Sequence, residues 1–293
     1  MLPRDLIAKV RKIEIRTRKL VEDLTGGAYH SVFKGRGIEF SEVREYTPED
    51  DVRDIDWNVT ARMGAPYIKK YAEERELTVI LAIDASASLF FGSGDETKRE
   101  KVAETAALLA FSAIRNHDKV GLLVFTDRTE LWLPPRSGRA HVLRLIRELL
   151  AFQPESRKTR IGNAMDSLIR NLKKRAVVFL FSDFIDNSPY ERSMKILNRK
   201  HDLVAVRVLD REELALPPMP MLELEDAETG ETLFFDASSA AERSRYARNA
   251  NAELAAEEET FNRAKVDLVD VRCGEDILKP LMAFFRRRKL RKG

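Results

Sequence analysis

The alternation of apolar and polar positions changes character near residue 77. From there on, short apolar runs alternate with stretches whose apolar residues recur every three or four positions. LTVILAID (77–84) is a β-branched and aliphatic run of the kind found in strands covered on both faces. VGLLVFTD, AVVFLFSD and DLVAVRVLD repeat that pattern, with TELWLP beside the first of them. Helical spacing occupies 98–116, 139–151, 162–173 and 190–200 between these runs. A long polar helix is predicted over about 238–262, a last strand at KVDLVDVR and a closing helix over 275–287. Strands alternating with helices predict an α/β fold, a doubly wound, mostly parallel sheet flanked by helices. LELEDAETGETLFFD reads as a hairpin near 221–236 with its turn at Thr229–Gly230, inserted before the long helix. That insertion departs from the simplest sheet topology.

Residues 1–76 have no such rhythm. A helix is predicted over 4–23, followed by a stretch dense in Gly, Asp, Arg and aromatic residues. Short strands and loops packed on the α/β region are expected there. The sequence thus divides into 1–76, an α/β domain over 77–285 and a basic tail over 286–293. The first boundary is soft, because Tyr67–Tyr71 reads as a strand running toward the first core strand. Arg44, Asp50, Asp51, Arg53, Asp54, Asp56, Arg62 and Arg75 set opposite charges at close spacing. Bidentate Arg–carboxylate pairs clamping the segment onto the sheet edge are expected from them, with a docking face as the alternative. Exposed ion pairs contribute only about 0–1 kcal/mol each. The order of the segment is therefore assigned to Trp57, Phe33, Phe40 and Tyr67, with Tyr46 as a further apolar anchor.

Composition narrows the function classes. With 51 basic against 48 acidic residues, the net charge of +3 does not call for a polyanionic partner. Locally, six of the seven residues from Arg286 to Lys292 are basic, which predicts a solvated, frayed tail. No stretch approaches the roughly 18–20 consecutive apolar residues of a membrane helix. Asp5, Glu14, Glu22 and Asp23 argue against reading the amphipathic start as a transit peptide. Cys273 stands alone and has no internal disulfide partner, which fits a reducing compartment. A cytoplasmic protein is expected.

In a doubly wound sheet the ligand crevice lies outside the carboxyl ends of the central strands. Three segments deliver oxygen atoms to that edge. The first core strand ends in Asp84-Ala85-Ser86-Ala87-Ser88, Thr159 precedes the 162–173 helix, and Asp183 ends AVVFLFSD. Taken singly, such residues are often helix caps, and Ser93 or Asp95 is placed to cap the 98–116 helix. No G-x-x-x-x-G-K-[ST], G-x-G-x-x-G or G-x-S-x-G occurs. Gly35-Arg36-Gly37 and Gly92-Ser93-Gly94 read as turns, His30, His117, His141 and His201 are scattered, and Cys273 reads as a packing residue.

Asp-x-Ser-x-Ser with Thr159 in T-x-I-G-x-A and a later strand-ending Asp183 resembles the von Willebrand factor A-like (vWA) family and its metal-ion-dependent adhesion site (MIDAS). The resemblance implies that Asp84, Ser86, Ser88, Thr159 and Asp183 hold Mg²⁺, with Mn²⁺ or Ca²⁺ able to take its place, directly or through water. Hard oxygen donors suit Mg²⁺, which keeps several waters. Three neutral hydroxyls and two carboxylates would leave the ion electrophilic toward a partner's Asp or Glu, as across that family. More narrowly, GRGIEFSEVREYTPEDDVRDIDWNVTARMG followed by YIKKYAEERE resembles the bacterial family known as domain of unknown function 58. Its members resemble the accessory A-domain proteins that work beside MoxR-type AAA+ ATPases in chaperone-like maturation of protein complexes. ATP hydrolysis would then belong to the partner chain, which fits the missing P-loop.

The leading expectation is a non-enzymatic, metal-dependent adaptor. A Mg²⁺-dependent phosphoester hydrolase with Asp186 or Asp127 as base is the alternative, although nothing in the spacing demands it. Binding of nucleic acid or an anionic membrane through Arg286–Lys292 is a weaker third, since no aromatics interleave with the charges and Phe284 and Phe285 belong to a helix face.

Overall fold

The structure, a computed structural model, describes residues 4–25, 39–72 and 76–292. The chain divides into two compact units, 1–32 with 78–293, and 33–77. The larger unit contains a six-stranded sheet of β3 (Thr78–Asp84), β4 (Lys119–Phe125), β5 (Thr129–Arg136), β6 (Val177–Ser182), β7 (Asp202–Leu209) and β10 (Asp267–Arg272). Their order across the sheet is β10-β7-β6-β3-β4-β5. All neighbours are parallel except β4 and β5, which are antiparallel at one edge. This is the doubly wound, mostly parallel arrangement that the alternating pattern predicts. Chain order reverses between β3 and β6, so the switch point lies at the ends of these two strands.

Burial explains why these runs form strands. β6 is buried at every position and β3 at all but its first, as expected for strands covered on both faces. Ile80, Ala82, Leu123, Val178, Leu180 and Ala205 meet Ile161, Ala164, Met165 and Leu168 of a helix at Ile161–Asn171 in the core of one face. A Cβ at Gly121 in β4 would lie 3.0 Å from Ile80 Cδ1 and 3.1 Å from the Leu133 carbonyl oxygen of β5.

The first helix, α1 (Arg4–Thr25), belongs to this larger unit, whereas the sequence groups it with the segment that follows. Thr17, Val21 and Leu24 are buried. Lys9 pairs with Glu100 and Arg16 with Glu104, both on the helix Lys98–Arg115. Amphipathic spacing gave α1 a buried stripe, and that helix supplies its partner.

In the smaller unit, β1 (Glu39–Glu45) pairs antiparallel with β2 (Tyr67–Ala72), and α2 (Trp57–Met63) lies between them in the chain. Arg44 forms the expected bidentate pair with Asp50, at 2.9 and 2.7 Å, which holds the Asp50 carboxyl down to about 2. Asp51 instead caps a short 3-10 turn and Asp56 caps α2, accepting from Asn58 and Val59 amides. Trp57, expected to be an anchor, is 68% exposed. It opens α2 directly after the cap, whereas Ile68, bridged to Ile55, is buried. Phe33, Gly35–Gly37, His30 and Arg75 lie outside the described residues.

The C-terminal run is the second departure. The last helix, α9 (Leu278–Lys292), continues through the basic stretch, and Phe284 and Phe285 are fully buried. Arg288 reaches Asp202 at 2.9 and 2.6 Å and Asp267 at 2.5 Å, and stacks over the Phe284 ring. The amino ends of β7 and β10 therefore present acids to Arg288 and Arg291. The run is helical through Lys292, while Arg286, Arg287 and Lys289 are solvated as expected. Arg288→Ala is expected to cost about 2 kcal/mol in urea unfolding, typical of hydrogen bonds between charged groups. Arg291→Ala, on a side chain 68% exposed, should stay within about 0.5 kcal/mol of wild type. No helix among the described residues is long and apolar enough to cross a membrane.

Candidate metal centre

The carboxyl ends of β3 and β6, adjacent in the sheet, bring Asp84 and Asp183 to the switch point. Both are buried, at 1% and 2% exposure. Ser86 donates its amide to Asp84 Oδ1 at 2.9 Å, and the Ser86 and Ser88 hydroxyl oxygens are 3.1 Å apart. A short 3-10 turn (Ala87–Phe90) follows Ser86 and keeps both hydroxyls on the same edge. Ser182 donates to Asp84 Oδ2 at 2.6 Å and accepts from the Phe184 amide at 3.0 Å. It thereby ties the two strand ends together. Phe184 adopts φ of 62°, in the left-handed region, and its buried ring packs edge-on against Phe261. A non-glycine residue held this way beside a carboxylate is a form of strain that clusters at functional sites.

Thr159 reaches the same edge through its loop. Ala87 donates to the Arg157 carbonyl and Arg160 donates to that of Thr126. The structure therefore gathers Asp84, Ser86, Ser88 and Asp183, while the Thr159 hydroxyl is taken up by Glu228 at 2.5 Å. The helix α5 (Ile161–Asn171) begins two residues later, and its first amide is bound at 2.7 Å by Asp186. Asp186 also accepts from Ser188, so its carboxylate serves the turn and the helix start. Asp127 lies beside the Thr126 hydroxyl, at 3.3 Å. The Asp186 carboxylate is thus taken up by two amides.

Burial, and then the charge of Asp183, push the Asp84 carboxyl from 3.8 up to about 7, although Ser182 and Ser86 act against this. Two buried carboxylates that repel one another are short of positive charge. One cation is built in: Lys98, the first residue of α3 (Lys98–Arg115), is fully buried and donates to Asp183 at 2.9 Å and to Glu213 at 2.5 Å. Burial works to lower the Lys98 pKa, but the two carboxylates outweigh it and raise it.

Among the described residues no three His, Cys, Asp or Glu side chains converge to hold a metal. A divalent ion here would depend on hydroxyl donors, and Asp84, Ser86, Ser88 and Asp183 are of the hard-oxygen type that Mg²⁺ requires. The donor set fits the ion, beside a cation, Lys98, already paired with Asp183.

Sequence reasoning missed four participants. Ser182 was visible as a lone hydroxyl in an otherwise apolar strand. Lys98, Glu213 and Glu228 carried no signal, because each sits in a charged stretch that reads as solvated surface. Ser93 and Asp95 do not cap α3. Thr97 does, in a reciprocal capping box with Glu100, while Ser93 bonds Asp210 and the Gly92 backbone packs against Thr97.

The chain is 29% identical over 286 residues to the "Uncharacterized protein Rv1480" of Mycobacterium tuberculosis, covering 97% of this chain and 90% of that one. Among solved structures, BatB from Bacteroides thetaiotaomicron aligns with a TM-score of 0.45 at 15% identity, covering 72% of this chain and 98% of that one. An aerotolerance-related membrane protein from Bacteroides fragilis aligns with a TM-score of 0.47 at 15% identity, over 73% and 99%. The family model described as "Protein of unknown function DUF58" matches residues 42–256, most of the sheet and the segment before it, and the chain belongs to that family.

Proposed function

We propose that this protein is a non-enzymatic binding module that captures an acidic side chain of a protein partner through a divalent cation. The observation carrying this reading is the meeting of two buried carboxylates with the Ser86 and Ser88 hydroxyls at the switch point. Asp84, Ser86, Ser88, Thr159 and Asp183 would hold Mg²⁺, with Mn²⁺ or Ca²⁺ as substitutes. The bound ion would supply an electrophilic place for one outside carboxylate. Asp84 and Asp183 would contribute charge, the hydroxyls would orient the site without cancelling the ion's charge, and Ser182 would hold Asp84 in place.

Exposed apolar residues flank the same loops. Phe90 and Phe91 follow Ser88, and Ile185 follows Asp183, each between 42% and 61% exposed. Apolar surface around a polar centre is what a protein interface needs at its core. Among the described residues, Asp186 is taken up by the Ile161 and Ser188 amides, which favours binding over hydrolysis. The family resemblance adds a MoxR-type AAA+ ATPase as the partner, in the cytoplasm, with chaperone-like remodelling as the joint activity.

The test is a pull-down of the MoxR-type ATPase from native lysate with wild type, Asp84→Ala and Ser86→Ala. Capture is expected with wild type in Mg²⁺, and its loss in both variants and in EDTA. Equal capture under all four conditions would eliminate the metal bridge.

A further inference from the structure

The insert between β7 and the long helix α8 (Ala240–Ala264) is a hairpin of β8 (Leu222–Glu225) and β9 (Thr232–Phe235). It forms its own two-stranded sheet and leaves the six-stranded order intact. Its tip is tightly built. Asp226 accepts from the Glu228 and Thr229 amides at 2.9 and 2.8 Å, and the Gly230 amide donates to the Asp226 carbonyl. Gly230 supplies the positive φ of 75° that this turn requires. The tip presents Glu228 to Thr159, one of the five residues assigned to the metal. At 2.5 Å, the contact lies in the range of a hydroxyl bonded to a charged carboxylate.

The arms of the hairpin are held differently. Neither strand contains a buried residue, and Leu233 and Phe234 are 63% and 65% exposed. A two-stranded hairpin is marginal on its own. At its base, Phe235 meets Tyr246 edge-on and Ala237 is buried. A well-ordered tip on weakly held arms suits an element that moves as a unit about its base.

Resting on the metal-bridge reading above, we propose that Glu228 is a built-in competitor of the partner's acid. It occupies the carboxylate place on the Thr159 side of the crevice until an acidic residue of the partner displaces it. Hairpin and partner offer the same chemical group to the same place, so their occupancy is mutually exclusive and the partner's apparent affinity is reduced by the closed fraction.

The test uses Mn²⁺ as the metal and acetate as the carboxylate, followed by the paramagnetic relaxation of the acetate methyl protons. In Glu228→Ala, acetate is expected to saturate at about tenfold lower concentration than in wild type, the factor one charge-assisted hydrogen bond corresponds to. The same acetate dependence in both proteins, with Mn²⁺ bound to both, would overturn the competitor and leave the metal site standing. If Mn²⁺ bound neither wild type nor variant, the metal reading would fall and the competitor with it.

Discussion

Replacing Lys98 with methionine is expected to destabilise the protein by about 3–5 kcal/mol in EDTA, the cost of breaking a buried ion pair from one side. Methionine fills most of the volume of the lysine stem, so the loss is of charge and not of packing. Asp183, with its side chain 1% exposed, would be left in the core with no cation beside it. Glu213 is less affected, because its side chain is 26% exposed and can be rehydrated. The second substitution that isolates this cause is Asp183→Asn. If Lys98→Met acts through the stranded carboxylate, the double variant should recover most of the lost stability, a strong coupling in a double-mutant cycle. Thermal unfolding would show the single variant lower by on the order of 10 °C. A loss under about 1 kcal/mol, or additivity of the two substitutions, would contradict an ammonium that compensates Asp183.

The contrast between Lys98 and Asp84 shows what the chain made legible. Asp84 ends a strand that is apolar from Val79 to Ile83, so its carboxylate stands out and its place at the sheet edge follows from the alternation of strands and helices. Lys98 opens a helix in a stretch, KREK, where a charged residue is ordinary. Its burial depends on Asp183, at the end of β6, and Glu213, in a short helix after β7, both far along the chain. Local periodicity carries no information about such pairings. The same reason underlies the basic run at 286–292, where charge alone reads as solvation while Asp202 and Asp267 lie waiting at the strand starts. Trp57 errs in the opposite direction. Aromatic character suggested an anchor, but the Asp56 cap fixes the start of α2 and leaves the ring exposed. The hairpin was visible from its turn residues. That its glutamate meets Thr159 was not, because the contact is set by how the insert folds back and not by anything within it.

Asp84→Asn is expected to stabilise the metal-free protein at pH 8 and to make it indifferent to Mg²⁺. In wild type the folded state raises the Asp84 carboxyl from 3.8 to about 7, chiefly through burial and then through Asp183. The folded chain therefore holds this proton more tightly than the unfolded chain does. Its contribution to stability is greatest below about pH 4, declines as the pH rises to about 7, and is constant above that. The penalty of the buried charge is therefore carried in full at pH 8. Asparagine removes the charge and keeps the geometry: the Ser86 amide still finds an oxygen, and the Ser182 hydroxyl turns to accept from the new amide group. Mg²⁺ should act on only one of the two proteins. At a hundredfold excess over its dissociation constant it would stabilise wild type by about 2.7 kcal/mol and the variant hardly at all. Urea unfolding at pH 4 and pH 8, with EDTA and with Mg²⁺, separates the two causes. A variant no more stable than wild type at pH 8 in EDTA would refute the buried-charge account of Asp84. A wild type unmoved by Mg²⁺ at pH 8 would refute the metal, since any ion bound by the folded state alone stabilises that state.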